Sequence, residues 1–224
     1  MAKITIESWD PDYGTPLPDP QESQAGVDAA VEVAPEAWAP VGPTGTAPLE
    51  KILFIDGVRR IEALVWIHAD GAPLRRGIAA SYAAGVVRSD AGGAHIVAAE
   101  VRRGLFSTAA NESLETRVGI FEARTAADDQ IESLSSSLQE RLGELEVGIA
   151  ARLGDGADLI VVDGPLFGRQ SVPGAVGYIK THRVAYLPED LAGVVGQLSA
   201  GERSPLFVIK TSWTRFAWYL RLRG

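Results

Sequence analysis

Beyond residue 49, short apolar runs alternate with glycine-containing links, and the runs read as strands. Lys51 to Asp56 is the first. Ile61 to Ala69 (IEALVWIHA) is the second, ended by Asp70-Gly71. Gly77 to Arg88 and Ala94 to Arg102 follow, separated by the turn Ser89-Asp90-Ala91-Gly92-Gly93, and Thr116 to Glu122 is a candidate fifth. Short links of this kind favour antiparallel neighbours. The period then changes. Ile131, Leu134, Leu138, Leu142, Leu145, Ile149 and Leu153 recur three and four residues apart, one apolar stripe of a helix from about Ala127 to Leu153. Gly154-Asp155-Gly156 stops it. A Val-rich strand ending at Asp163 comes next, then Ala175 to Lys180, then a helix after Leu187-Pro188-Glu189-Asp190 that Gly201 closes. Pro205 to Thr211 and Phe216 to Leu222 are the last two strands.

Two of these strands end alike. Ile52-Leu53-Phe54-Ile55-Asp56-Gly57 and Leu159-Ile160-Val161-Val162-Asp163-Gly164 are apolar runs that stop at Asp-Gly. Each aspartate therefore sits where a core strand opens onto a loop, which is where α/β proteins place their chemistry. Side by side on one sheet, the two carboxylates would form a divalent-metal site.

The order of several antiparallel strands, a long helix, a buried strand and then mixed elements is the layout of a ribonuclease-H-like α/β fold. In that layout the first strand, the helix and the next strand each supply one carboxylate to two metal ions. Such ions, about 4 Å apart, clamp the attacking and leaving oxygens of a phosphodiester. Mn²⁺ and Mg²⁺ take hard oxygen ligands, hence Asp and Glu. On the helix the best candidate is Glu146. At about 100° per residue it lies roughly 70° from the centre of the apolar stripe, at the border of core and solvent. Its plain alternative is an ordinary boundary glutamate. Glu100, in the fourth strand, is the main rival, and Glu122 a weaker one.

Composition alters the picture in one place. The net charge is −8, and the first 50 residues hold nine acids against one base, so the remainder balances. Eight of the 13 prolines lie in the same stretch. Residues 1–49 therefore read as an acidic, Pro-rich, extended arm, and 50–224 as the folded domain. Ile4, Ile6, Trp9, Tyr13 and Trp38 are apolar enough to dock on the body or on a partner. There is no cysteine, which excludes disulfides and thiolate metal sites and suits a reducing cytoplasm. No apolar stretch approaches the roughly 20 residues of a membrane span.

Phe54-Ile55-Asp56-Gly57, Leu145-Glu146, the run Leu159 to Leu166, Val176 to Lys180 and Arg215 to Leu222 together resemble the NurA-type nucleases. The resemblance covers residues 50–224. It implies a ribonuclease-H-like core, Mn²⁺-dependent (or Mg²⁺-dependent) cleavage of DNA in DNA-end processing, a homodimer, and work with a HerA-type hexameric ATPase. It also implies that Asp56, Glu146 and Asp163 are the catalytic metal ligands. Lys180 is a candidate phosphate or active-site contact by position. Family members use a further histidine near the C-terminus. His68, His95 and His182 do not stand in that context, so the chain is expected to match the family without its C-terminal segment.

Four residues are candidate nucleic-acid contacts by position: Lys180, His182, Arg169 and Arg59. The commoner role of such residues is solvated surface charge. Two functions from different classes follow. One is a metal-dependent deoxyribonuclease. The other is a non-catalytic module on the same fold that dimerises and docks an ATPase.

Overall fold

The computed structural model describes residues 3–7, 21–22, 25–45, 48–68, 71–166, 168–180 and 184–222. In chain order the strands are β1 (Lys3–Glu7), β2 (Gln21–Glu22), β3 (Gly26–Asp28), β4 (Ile52–His68), β5 (Arg75–Asp90), β6 (Gly93–Ser107), β7 (Leu114–Thr116) and β8 (Gly119–Thr125). The long helix α1 (Ile131–Leu153) follows, then β9 (Leu159–Asp163), β10 (Ala175–Tyr178), β11 (Val184–Ala185), α2 (Glu189–Gln197), β12 (Phe207–Lys210) and β13 (Thr214–Ala217). No helix among the described residues is long and apolar enough to cross a membrane.

The chain divides into two compact units, residues 1–15 with 49–180 and residues 16–48 with 181–224. The segment expected as an arm is thus shared between them.

The first unit is a mixed α/β layer. Its sheet runs β10-β9-β4-β5-β6-β8-β7, with β1 paired to the far half of β4. The runs Lys51 to Asp56 and Ile61 to Ala69 are one strand rather than two. Glycine at 57 does not end β4, because β5 pairs with it on both sides of that residue, from Ile52↔Ser89 to Ile67↔Arg75. The register shifts once, between Ile61 and Ala63, where an extra residue enters the ladder. The antiparallel β4–β5–β6 meander matches the short glycine-containing links. β9 returns parallel to β4 through the α1 crossover, as a parallel pair requires.

The stripe on α1 does what its period predicts. Leu134, Leu138 and Leu142 pack on Ile78, Ala80, Tyr82 and Phe106. Ile149 and Ala150 pack on Leu53, Ile55, Ala84, Val86, Ile160 and Val162. The helix therefore packs on one face of the sheet over β4, β5 and β6. On the other face, at one end, Phe121 and Ala110 close over Val65, Ile67, Ala79 and Leu105, with Ile4 packed beside them.

The second unit is small. β12 pairs with β3 and β13, and Phe207, Ile209 and Leu187 form a core against which Val27, Trp38 and Tyr219 pack. Trp38 docks with its Nε1 donating to the Ala29 carbonyl at 2.8 Å. Trp9 and Tyr13 lie outside the described residues.

A carboxylate ties this unit together. Glu32 accepts from Arg203 Nη1 at 2.8 Å and Nη2 at 2.7 Å, and from the Leu206 amide at 2.7 Å. These bonds hold its pKa at about 2, against an ordinary value of 4.5. The charged form is the bound form, so the contribution is present above pH 4.5 and is lost as pH falls through about 2. Glu32→Gln should cost about 1–2 kcal/mol at neutral pH. Urea unfolding of both proteins should show that difference shrinking as the pH is lowered through this window.

Candidate functional site

The two Asp-Gly pairs meet. β4 and β9 pair in parallel from Ile52↔Leu159 to Ile55↔Val162, and the next residue on each strand is Asp56 and Asp163. Neighbouring strands stand about 4.8 Å apart, so the two carboxylates leave the sheet side by side. On β10, Tyr178 is level with Asp163.

Which face they leave from follows from alternation. Leu53, Ile55, Ile160 and Val162 belong to the core under α1. Phe54, Asp56 and Val58 on β4, and Val161 and Asp163 on β9, therefore point to the opposite face. On that face Phe54, Val58 and both aspartates are exposed. Lys180 joins them from the segment after β10, with Nζ 3.1 Å from Asp163 Oδ1. The hydrogen bond to Asp163 raises the Lys180 pKa, and the Asp56 charge adds to it.

Glu146 lies behind this pair, on the helix side. It is only 4% exposed. Its Oε2 accepts from Arg169 Nε at 2.7 Å and from Arg169 Nη2. Arg169 Nη1 also donates to the Pro165 carbonyl at 3.0 Å. The loop that leaves Asp163 is thereby clamped to α1. It leaves through Gly164 at φ +79°, a conformation that suits glycine. The helix sits directly on β4 at Gly57, where an added Cβ would come 2.3 Å from Glu146 Oε1 and 2.8 Å from Leu142 Cδ1. Glycine after Asp56 thus makes room for the helix rather than a turn. Burial raises the Glu146 pKa, Arg169 opposes the rise, and the charges of Asp56 and Asp163 add to it.

The other candidates have clear positions. Arg169 is buried in its pair with Glu146, so its guanidinium is committed. Arg59 lies on the helix side and donates to the Ser135 carbonyl at 3.3 Å. His182 lies outside the described residues. Glu100, on the helix-facing side of β6, pairs with Arg102 at 2.9 Å and with Arg152 of α1. Glu122 pairs with Arg124 on β8.

Among the described residues, no group of three or more His, Cys, Asp or Glu side chains is placed to hold a metal ion. The cause is the sheet itself, since Glu146 and the two aspartates stand on opposite faces of it. Asp56 and Asp163 fit a divalent cation in kind, as adjacent hard-oxygen donors open to solvent. Glu146 fits as the anchor of the loop after Asp163.

No family model matches the chain, and no curated protein matches it. Among solved structures, the chain is similar to the NurA nuclease from Sulfolobus solfataricus, at 20% sequence identity with a TM-score of 0.34. The match covers 72% of this chain and 37% of that one, so the chain spans little more than a third of that nuclease's length.

Sequence reasoning missed the Glu146–Arg169 clamp, because 23 residues of helix end, strand and loop separate the partners. It also assigned no role to Tyr178 or Phe54. Their signal was present in the alternation, since Phe54 shares its parity with Asp56.

Proposed function

We propose that this chain is a metal-dependent nuclease that hydrolyses phosphodiester bonds at Asp56 and Asp163. The observation that carries the reading is the placement of these two exposed carboxylates at one level on adjacent parallel strands, with an ammonium beside them. A divalent cation held by them, Mn²⁺ or Mg²⁺, supplies Lewis acidity to a phosphate oxygen and lowers the pKa of an attacking water. Asp56, within β4, and Asp163, at the end of β9, would bind and orient it from rigid core strands. Lys180, drawn to Asp163 in the present arrangement, is positioned to neutralise phosphate charge instead. Glu146 serves the site from behind by holding Arg169, which fixes the loop on which Asp163 depends. DNA is the substrate we assign. A second copy of the chain and a HerA-type hexameric ATPase are the partners the sequence motifs suggest, in DNA-end processing in the cytoplasm.

One observation favours the other class of function. The third carboxylate is committed to an arginine, which suits a non-catalytic module that dimerises and docks an ATPase. A single assay separates the two. Labelled single- and double-stranded DNA incubated with the protein should be cleaved with Mn²⁺ and spared with EDTA. If both substrates survive Mn²⁺ and Mg²⁺ alike, the module reading replaces the nuclease.

A further inference from the structure

The open sheet face carries two half-exposed aromatic rings next to the aspartate pair. Tyr178 is level with Asp163 on the neighbouring strand, and Phe54 is two residues before Asp56 on the same face. They are 43% and 44% exposed. Each leaves apolar area in water on a rigid strand beside the candidate chemistry, a placement that folding alone does not reward. On the far side of Asp56, β5 presents Gly85. A Cβ there would meet only the Ala98 carbonyl, at 3.8 Å, so packing does not require glycine. A glycine that packing does not demand, in the interior of a strand, leaves the surface low where something else approaches.

We infer that Phe54 and Tyr178 are a stacking platform for unpaired bases, so that the site takes single-stranded nucleic acid in preference to duplex. This inference rests on the reading of Asp56 and Asp163 as the hydrolytic pair and names what that pair is offered. A flat ring on a sheet surface stacks on any base face, whereas the bases of a duplex are already stacked and shielded. With one base on Tyr178 and another on Phe54, the phosphates of the same strand run past the aspartates. Lys180, next to Asp163, meets the backbone charge there. Stacking tolerates any sequence, so the platform selects for strandedness and leaves the sequence unread.

The test reads binding apart from cleavage. The full chain is titrated into fluorescein-labelled oligo-dT, a matched duplex, and an abasic oligomer of the same length, with Ca²⁺ in place of Mn²⁺. The expected order is oligo-dT tightest, with the abasic strand and the duplex each weaker by roughly 10-fold or more. Tyr178→Leu and Phe54→Leu keep apolar bulk on the strand and should each weaken oligo-dT by roughly 10-fold, leaving the abasic strand unchanged. Tyr178→Phe should bind as the parent does. Equal affinity for dT and abasic strands, or no effect of either leucine variant, overturns the platform whether or not the protein cleaves. If instead the leucine variants shift sedimentation toward a smaller species with DNA binding unchanged, the face is a protein interface and the inference also falls. Stacking lost in the leucine variants of a protein that never cleaves DNA would uphold the platform and sink only the hydrolytic reading.

Discussion

Asp56→Asn, and separately Asp163→Asn, will reduce metal-dependent cleavage by about 10³-fold or more while the protein stays folded. The size follows from what the carboxylates supply. A cation positioned on a phosphate oxygen is worth several kcal/mol in the transition state, and about 4 kcal/mol corresponds to about 10³ in rate. The change to asparagine keeps the shape and removes the charge. Neither side chain is in the core, since both are exposed, so little packing is lost. Mn²⁺ affinity, read by calorimetry, should fall in the same two variants. It should fall less in Glu146→Gln, where the altered carboxyl lies on the other side of the sheet. A variant at Asp56 that cuts DNA at the parental rate would end the assignment.

Arg169→Met should destabilise the first unit by about 3–5 kcal/mol. It strands Glu146 without its partner where α1 presses on Gly57. The pH dependence has a definite sign. Burial already raises the Glu146 pKa above its ordinary 4.5, and Arg169 opposes that rise. Removing Arg169 raises it further. The folded state then holds a proton that the unfolded chain releases above about 4.5, so stability is highest below that value and is lost as pH rises through the folded pKa. The variant should thus be closest to the parent in acid and furthest from it at neutral pH. Urea unfolding at both ends of the range measures this. The double change Glu146→Leu with Arg169→Met should recover most of the loss, because replacing a buried pair by apolar side chains removes both desolvation penalties. If the double variant is no more stable than Arg169→Met, the pair holds the loop by something other than its charge.

Much of this was legible in the sequence, for physical reasons that can be named. Helical period is a strong signal over 23 residues, and the stripe from Ile131 to Leu153 is the buried face of α1. Glu146 reads as a border position by its angle, and the structure buries it further because Gly57 lets the helix come close. The faces of β4 were harder. Leu53, Phe54 and Ile55 are equally apolar, so hydrophobicity does not say that the first and third are sealed and the second is not. Only the polarity of Asp56 carries that information, and Asp-Gly after an apolar run is equally the signature of a strand end. The start of the chain was least legible, since β3 has three residues, too few to show any period. By its place in the sequence Arg169 is a candidate phosphate contact, whereas in the structure its guanidinium is paired with Glu146. Spacing along the chain says nothing about which acid a loop arginine will find.

The register shift between Ile61 and Ala63 has a consequence for how this strand can change. A strand has only two phases, and one extra residue exchanges them. Up to Arg60 the even positions look outward, toward substrate in the proposed reading; from Ala63 the odd positions look to that side and are capped by Phe121 and Ala110. Deleting Glu62 itself would only remove the extra residue, and one unbroken phase would still put Asp56, Val65 and Ile67 on the same side. Adding a residue, or removing one elsewhere between Asp56 and Val65 while the bulge stays, would turn either Asp56 or the pair Val65 and Ile67 under the helix. Such insertions and deletions are therefore not small edits. They decide whether the same strand can line a site at one end and close a core at the other.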